Sequence, residues 1–271
     1  MKVQRTIYKV IIIVVSSLAF NLTKAHAAYY ETNQILVPHQ WFLDIGIGKS
    51  YDYGSSSVPV TLTGSSGYML FQTYQAATPP FFSAAIGHLW DLQTDYLPFI
   101  SVGLQYHYTT PVVITGTIYE VLPNNTIDFE QSLYSRYQIK QQSCSILTKL
   151  DIYRWKNIMP YFAFGMGASW NRINHFSTLT FEPALDPLKL SATANTTSDF
   201  TYSLGVGIDY LVNPELWLSL GYAYDDFGKN GIGQLLQYVN AATPLQPISA
   251  FVNNASLHAH NILFTARYLF D

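Results

Sequence analysis

The segment from Asn261 to Phe270 constrains the fold more than any other. Read as an extended strand, it places Ile262, Phe264, Ala266, Tyr268 and Phe270 on one face. Asn261, Leu263, Thr265, Arg267 and Leu269 fall on the other, because residues i and i+2 of a strand share a face. An unbroken apolar face thus stands opposite a mixed one. A sheet in water buries its apolar face and turns the polar one outward. A strand in a closed membrane barrel does the reverse, with apolar side chains toward lipid and small or polar ones inside.

The pattern recurs along the chain. Trp41, Leu43, Ile45 and Ile47 alternate with Phe42, Asp44, Gly46 and Gly48. Ile100, Val102, Leu104, Tyr106 and Tyr108 alternate with Phe99, Ser101, Gly103, Gln105 and His107. Ile146, Leu150 and Ile152 alternate with Ser145, Lys149 and Asp151, although Thr148 interrupts the apolar face. Phe162, Phe164, Met166, Ala168 and Trp170 form a further face, Tyr202, Leu204, Val206, Ile208 and Tyr210 another, and Leu218, Leu220, Tyr222 and Tyr224 another. Phe82, Ala84, Ile86 and Trp90 make the weakest one, because His88 shares their side. Eight strands result, each near the ~9–11 residues that a tilted membrane strand needs.

Composition fits this reading. Charged residues are 11% of the 271, against roughly 25% in ordinary soluble domains. Aromatics reach 15%, with 21 tyrosines. Many rings lie at strand ends, where amphipathic rings favour the lipid–water boundary and form two girdles. Disorder needs high charge and few aromatics and is excluded. A net charge of -3 without a basic patch argues against nucleic acid. The single cysteine, Cys144, rules out an internal disulfide and a cysteine-based metal cluster.

The N-terminus reads as an address. Lys2, Arg5 and Lys9 precede an apolar stretch over residues 10–20, and Ala25-His26-Ala27 supplies small residues at a cleavage site. This is the pattern of a secretory signal peptide over residues 1–27, too short in its apolar run to be a membrane helix. Residues 28–271 then form the barrel domain. Removal takes four of the 14 basic residues and none of the 17 acidic ones, so the net charge of the exported chain becomes -7.

Connection lengths sort into two kinds. Residues 91–95, 154–159 and 211–215 make short links, the last carrying the turn pair Asn213-Pro214. Residues 51–80, 109–136, 173–198 and 227–258 make long ones, and short and long alternate strictly. The expected fold is therefore all-β, an antiparallel eight-stranded transmembrane β-barrel with short periplasmic turns and long extracellular loops.

Three segments resemble the small outer-membrane barrels of the OmpA-barrel, OmpX and opacity-type surface proteins. They are the run from Met159 to Gly167, the run from Tyr202 to Tyr210, and the run from Leu218 to Gly228. The C-terminal strand also resembles the signal that barrel assembly machinery reads, with Phe264, Tyr268 and Phe270 as its aromatic residues; Asp271 follows the final ring. The resemblance implies a Gram-negative outer membrane and no cofactor. It also implies functions ranging over adhesion, membrane integrity, host interaction and weak channel activity.

A barrel of this size has room for its own side chains and little else. Its inward charges, Asp44, Lys149, Asp151, Asp209 and Arg267, gather toward the periplasmic half. Asp44 lies three residues into the first strand and Arg267 three before the end of the last, so closure is expected to bring them together across the seam. The set reads as a plug of ion pairs, or else as a gate over a narrow channel.

Other chemistry is sparser. His175-Phe176-Ser177 has the His-x-Ser spacing found in lipid A deacylase barrels, but it falls in a loop on this reading and lacks an orienting acid. His258-Ala259-His260 has no third metal ligand and reads as a solvent-exposed strand start. Asp225-Asp226 reads as a solvated strand end and Asn124-Asn125-Thr126 as a turn. Residues 112–121 and 126–134 look extended around Pro123, as a hairpin prolonging the third and fourth strands would be. The apolar residues Ile232, Leu235, Leu236, Val239, Ile248, Phe251 and Val252 fit a short helix, a cap or an adhesive surface equally.

The expected role is structural or adhesin-like, carried by the loops and without catalysis. The alternatives are a narrow pore or hydrophobic-solute channel of the OmpW kind and a lipid A-modifying enzyme. The expected partners are outer-membrane lipid and lipopolysaccharide, the assembly machinery and a host or matrix surface ligand.

Overall fold

The computed structural model describes residues 40–54, 58–62, 68–73, 78–94, 96–121, 127–180, 189–231, 233, 235–238, 246–247, 250–252 and 255–270. The signal-peptide segment and Asn124-Asn125-Thr126 lie outside them.

Eight long strands form the barrel: β1 (Gln40–Gly54), β2 (Pro80–Asp91), β3 (Phe99–Val121), β4 (Ile127–Asp151), β5 (Ile158–Thr180), β6 (Asn195–Leu211), β7 (Leu216–Asn230) and β8 (Ala255–Phe270). Each pairs antiparallel with its sequence neighbour, and β1 pairs with β8, which closes the ring. Closure leaves no unpaired edge, the requirement for a sheet in a hydrocarbon medium.

The burial pattern repeats the sequence alternation. In β1, Trp41, Leu43, Ile45 and Ile47 are exposed while Phe42 and Asp44 are buried. In β8, Ile262, Phe264, Tyr268 and Phe270 are exposed and Arg267 and Leu269 buried. Apolar exteriors of this extent suit lipid, not water. His88 does face outward in β2, where its ring sits between Trp41 and Trp90 at centroid distances of 5.5 and 4.6 Å.

The periplasmic turns are short and built from local hydrogen bonds. Asn213 Oδ1 accepts from the backbone N–H groups of Glu215 and Leu216. Asp91 Oδ1 accepts from Gln93 N, which allows Gln93 its positive φ of 55°.

The extracellular side departs from the expected loops in two places. Residues 109–136 are not a long loop. With irregularities between Thr109 and Val112 and between Ile118 and Glu120, β3 and β4 pair as far as Val121↔Ile127, so only residues 122–126 connect them. This is the prolonging hairpin, and backbone pairing satisfies polar groups that a loop of that length would leave to water. Likewise His175-Phe176-Ser177 lies in β5 rather than in a loop. Arg136 pairs with Ser177 and Gln138 with Asn174, so one residue of β4 faces two of β5 in a bulge, and His175 takes a φ of 53° there.

Short strands continue the sheet above the barrel. Tyr68–Thr73 pairs with β3 and with Val58–Leu62, which pairs in turn with Ala250–Val252. Leu235–Tyr238 pairs with Lys189–Ala192. Leu235, Leu236, Phe251 and Val252 are therefore in strands and not in a helix; Ile232, Val239 and Ile248 lie outside the described residues.

Candidate functional site: the barrel lumen and its rim

The lumen is filled in layers. Its periplasmic floor is apolar: Phe42, Leu89, Phe99, Met159, Leu211, Trp217 and Leu269 come from seven different strands, and each is at most 1% exposed. Phe99 and Trp217 meet edge to face, with centroids 5.1 Å apart.

The charged layer lies directly above. Asp44 and Arg267 are register partners across the β1–β8 seam. Arg267 Nε donates to Asp44 Oδ1 at 2.8 Å and Nη2 to Oδ2 at 2.9 Å, a two-pronged pair, while Nη1 donates to Ser101 Oγ at 3.2 Å. The guanidinium carbon sits 4.2 Å from the Phe42 ring centre and 5.9 Å from that of Trp217, so the cation also lies against the floor. Lys149 Nζ donates to both Asp209 oxygens at 2.6 Å and stands 3.9 Å from the Tyr161 ring centre. The structure thus joins four of the five inward charged residues in two pairs. The fifth, Asp151, is fully buried, and no donor reaches either of its oxygens among the described residues.

A cavity of about 70 Å³ follows, lined by Ser83, Gln105, Ser203, Asp225 and Thr265 among others. It has room for a few waters. Asp225 is buried here and accepts from Asn261 Nδ2, so it is not the solvated residue expected. Asp226 faces the other way and receives the Gly228 N–H at 2.8 Å. Strand alternation separates the two acids, and they form no common site.

The extracellular end closes again. The His107 ring stacks on Phe81 at 4.5 Å and lies 5.4 Å from Phe227. Thr109 Oγ1 donates to Gln141 Oε1 at 2.8 Å, and Asn171 Nδ2 donates to the carbonyls of Phe227 and Lys229. Ile114, Ile139, Ile173, Phe176 and Leu257 are buried in the upper strands.

The remaining candidates are on the exterior. His175 is exposed and Ser177 half-buried, and among the described residues no hydrogen bond joins them and no carboxylate orients the histidine. His258 and His260 are half-buried rather than solvated. They face outward beside aromatic neighbours, with the Tyr222 hydroxyl 2.5 Å from His260 Nδ1. Cys144 lies in β4 on the outer face, paired with Tyr106 on one side and Ala168 on the other. No group of three or more His, Cys, Asp or Glu side chains able to hold a metal occurs among the described residues. Phe264, Tyr268 and Phe270 project outward near the C-terminus. Sequence reasoning put Phe42 on the inward face but did not pick out the floor residues Leu89, Met159, Leu211 and Trp217. Their signal was an apolar residue on the inward face at each periplasmic strand end.

The family model for the outer membrane protein beta-barrel domain matches residues 83–270. Similar solved structures include Neisserial surface protein A, at 12% identity and a TM-score of 0.39, covering 85% of this chain and 97% of that one. OprG from Pseudomonas aeruginosa matches at 13% identity and a TM-score of 0.43, covering 83% and 95%. The outer membrane protease OmpT from Escherichia coli matches at 12% identity and a TM-score of 0.43, covering 89% and 99%. No curated protein matches the chain.

Proposed function

Because the chain belongs to the outer membrane β-barrel family, we propose that it serves at the cell surface as a non-conducting barrel with a structural or adhesin-like role. The observation that carries this reading is the filled lumen. Among the described residues, an apolar floor drawn from seven strands, two buried ion pairs and an upper apolar layer surround a cavity of about 70 Å³. Interaction is then the work of the extracellular strand extensions, above all the β3–β4 hairpin, since segments projecting from a rigid scaffold carry recognition. Export uses residues 1–27 as a cleaved signal, and assembly reads the aromatic strand end Phe264, Tyr268 and Phe270.

Two measurements test this together. Planar-bilayer recording of the folded protein should show no unit conductance, and steady channel steps would favour a narrow pore instead. Cells displaying the protein should adhere to immobilised matrix proteins, and a variant lacking residues 112–138 should lose that adhesion while its barrel folds. No adhesion, or adhesion that the deletion leaves intact, would remove the role of the hairpin. His175 and Ser177 have no catalytic part in this reading. Lipid A incubated with the protein should keep its acyl chains, and their release would revive the enzymatic alternative.

A further inference from the structure

We infer that the outer surface of β4 and β5, just above the aromatic girdle, binds the phosphate groups of an anionic outer-leaflet lipid through Arg136, Lys140 and Arg172.

The depth of the site comes from β5. Its outward residues run Phe162, Phe164, Met166, Ala168 and Trp170, all exposed, and the next outward position is Arg172. Two residues of strand advance about 7 Å along its axis, or roughly 5 Å toward the surface after a ~40° tilt. Arg172 therefore stands at the level where headgroups begin, one step past a girdle tryptophan.

The charge comes from the register. Lys140 is the direct partner of Arg172 across β4 and β5. Like charges directly opposite each other destabilise a sheet, so this pair calls for a counter-ion. Among the described residues, neither Lys140 nor Arg172 has a carboxylate partner, unlike Lys149 with Asp209 and Arg267 with Asp44 in the lumen. The outward neighbours are Gln138, Gln142, Thr110, Thr196 and Asn174, all uncharged. Among the described residues, Arg172 donates its Nε to Asn174 Oδ1 at 3.0 Å, which holds the guanidinium in place. Lys140 Nζ lies 5.4 Å from the Tyr108 ring centre. Arg136 is exposed four residues further up the same face of β4 and continues the positive row away from the membrane. A guanidinium matches phosphate geometry, and uncharged amides around it can hydrogen-bond the same oxygens. The position on the lateral wall selects a lipid-borne phosphate over one in solution. This inference concerns the wall of the barrel and stands independently of the adhesive role.

The test compares the wild-type protein, folded in detergent, with the triple variant Arg136→Gln, Lys140→Gln, Arg172→Gln. A heat-dependent gel shift verifies the fold of each. Retention of diphosphoryl lipid A, of its dephosphorylated form and of inorganic phosphate is then measured by native mass spectrometry. The wild type should retain diphosphoryl lipid A, with affinity falling roughly fivefold per cation removed, on the order of a hundredfold in the triple variant. Dephosphorylated lipid should bind both proteins alike and weakly. Equal retention of the two lipid forms by the wild type, or unchanged retention by the variant, would overturn the site. Inorganic phosphate that displaces the lipid at equal concentration would overturn its assignment to lipid. Should the triple variant fail to fold, Lys140→Gln and Arg172→Gln singly carry the same readout.

Discussion

Arg267 and Asp44 lie 223 residues apart in sequence and meet as direct register partners where the last strand closes on the first, joined by hydrogen bonds of 2.8 and 2.9 Å. The pair fixes the seam of the barrel. A slip of β8 by one residue would turn Arg267 out to lipid and leave Asp44 inside without it, since the side-chain period of a strand is two. Arg267→Ala should therefore destabilise the barrel by about 3–5 kcal/mol, because Asp44 would remain buried without its partner. The double variant Asp44→Asn, Arg267→Met should lose less. Urea unfolding followed by the heat-dependent gel shift measures both. Equal losses in the single and double variants would mean that the pair does not act as a unit.

Asp151 is predicted to behave in the opposite way. The charged layer contains Asp44, Asp151 and Asp209 against Lys149 and Arg267, so one carboxylate is surplus. Asp151→Asn removes the carboxyl that has no donor and should leave stability unchanged or raise it. Asp209→Asn strands Lys149 and should cost on the order of 3 kcal/mol. The two asparagine variants need only be compared in one urea series, and a larger loss for Asp151→Asn would refute the assignment.

The inward glycines differ in what surrounds them. A Cβ at Gly207 would meet the Leu220 carbonyl and the Tyr161 ring, whereas one at Gly205 would find its nearest atoms at 3.3 to 3.6 Å. Gly207→Ala should destabilise by about 1–3 kcal/mol through overpacking. Gly205→Ala should stay within about 1 kcal/mol. Refolding yield in detergent and midpoint in urea distinguish them.

The hairpin above the membrane should be separable from the barrel. The β3–β4 pairing is interrupted between Thr109 and Val112, and the charged layer and the floor lie wholly below that point. Replacing residues 112–138 by a short turn should keep the gel shift. Loss of the shift would mean that the extension helps hold the barrel.

Much of this was legible because alternation is a local property. Which face each residue of β1, β5 or β8 presents follows from its parity, and the sorting of short and long links gives the order and direction of strands. The Asp44–Arg267 contact could be anticipated for the same reason: both residues are counted from the ends of strands that closure makes neighbours. His175 shows where counting fails. A bulge adds one residue to β5, and nothing in the composition of His175-Phe176-Ser177 distinguishes it from a loop.

The sequence by itself determined the strands, their inward and outward faces and the exclusion of charge from the lipid side, because a two-residue period needs no distant partner to be read. The tertiary structure alone decided how inward residues stack along the axis. Parity assigns Phe42, Trp217 and Asp151 to the interior without assigning their level, which depends on the register of every strand around the ring. That register gathers seven apolar side chains into a floor, gives Lys149 to Asp209, leaves Asp151 over, buries Asp225 and sets Lys140 opposite Arg172 on the outer wall.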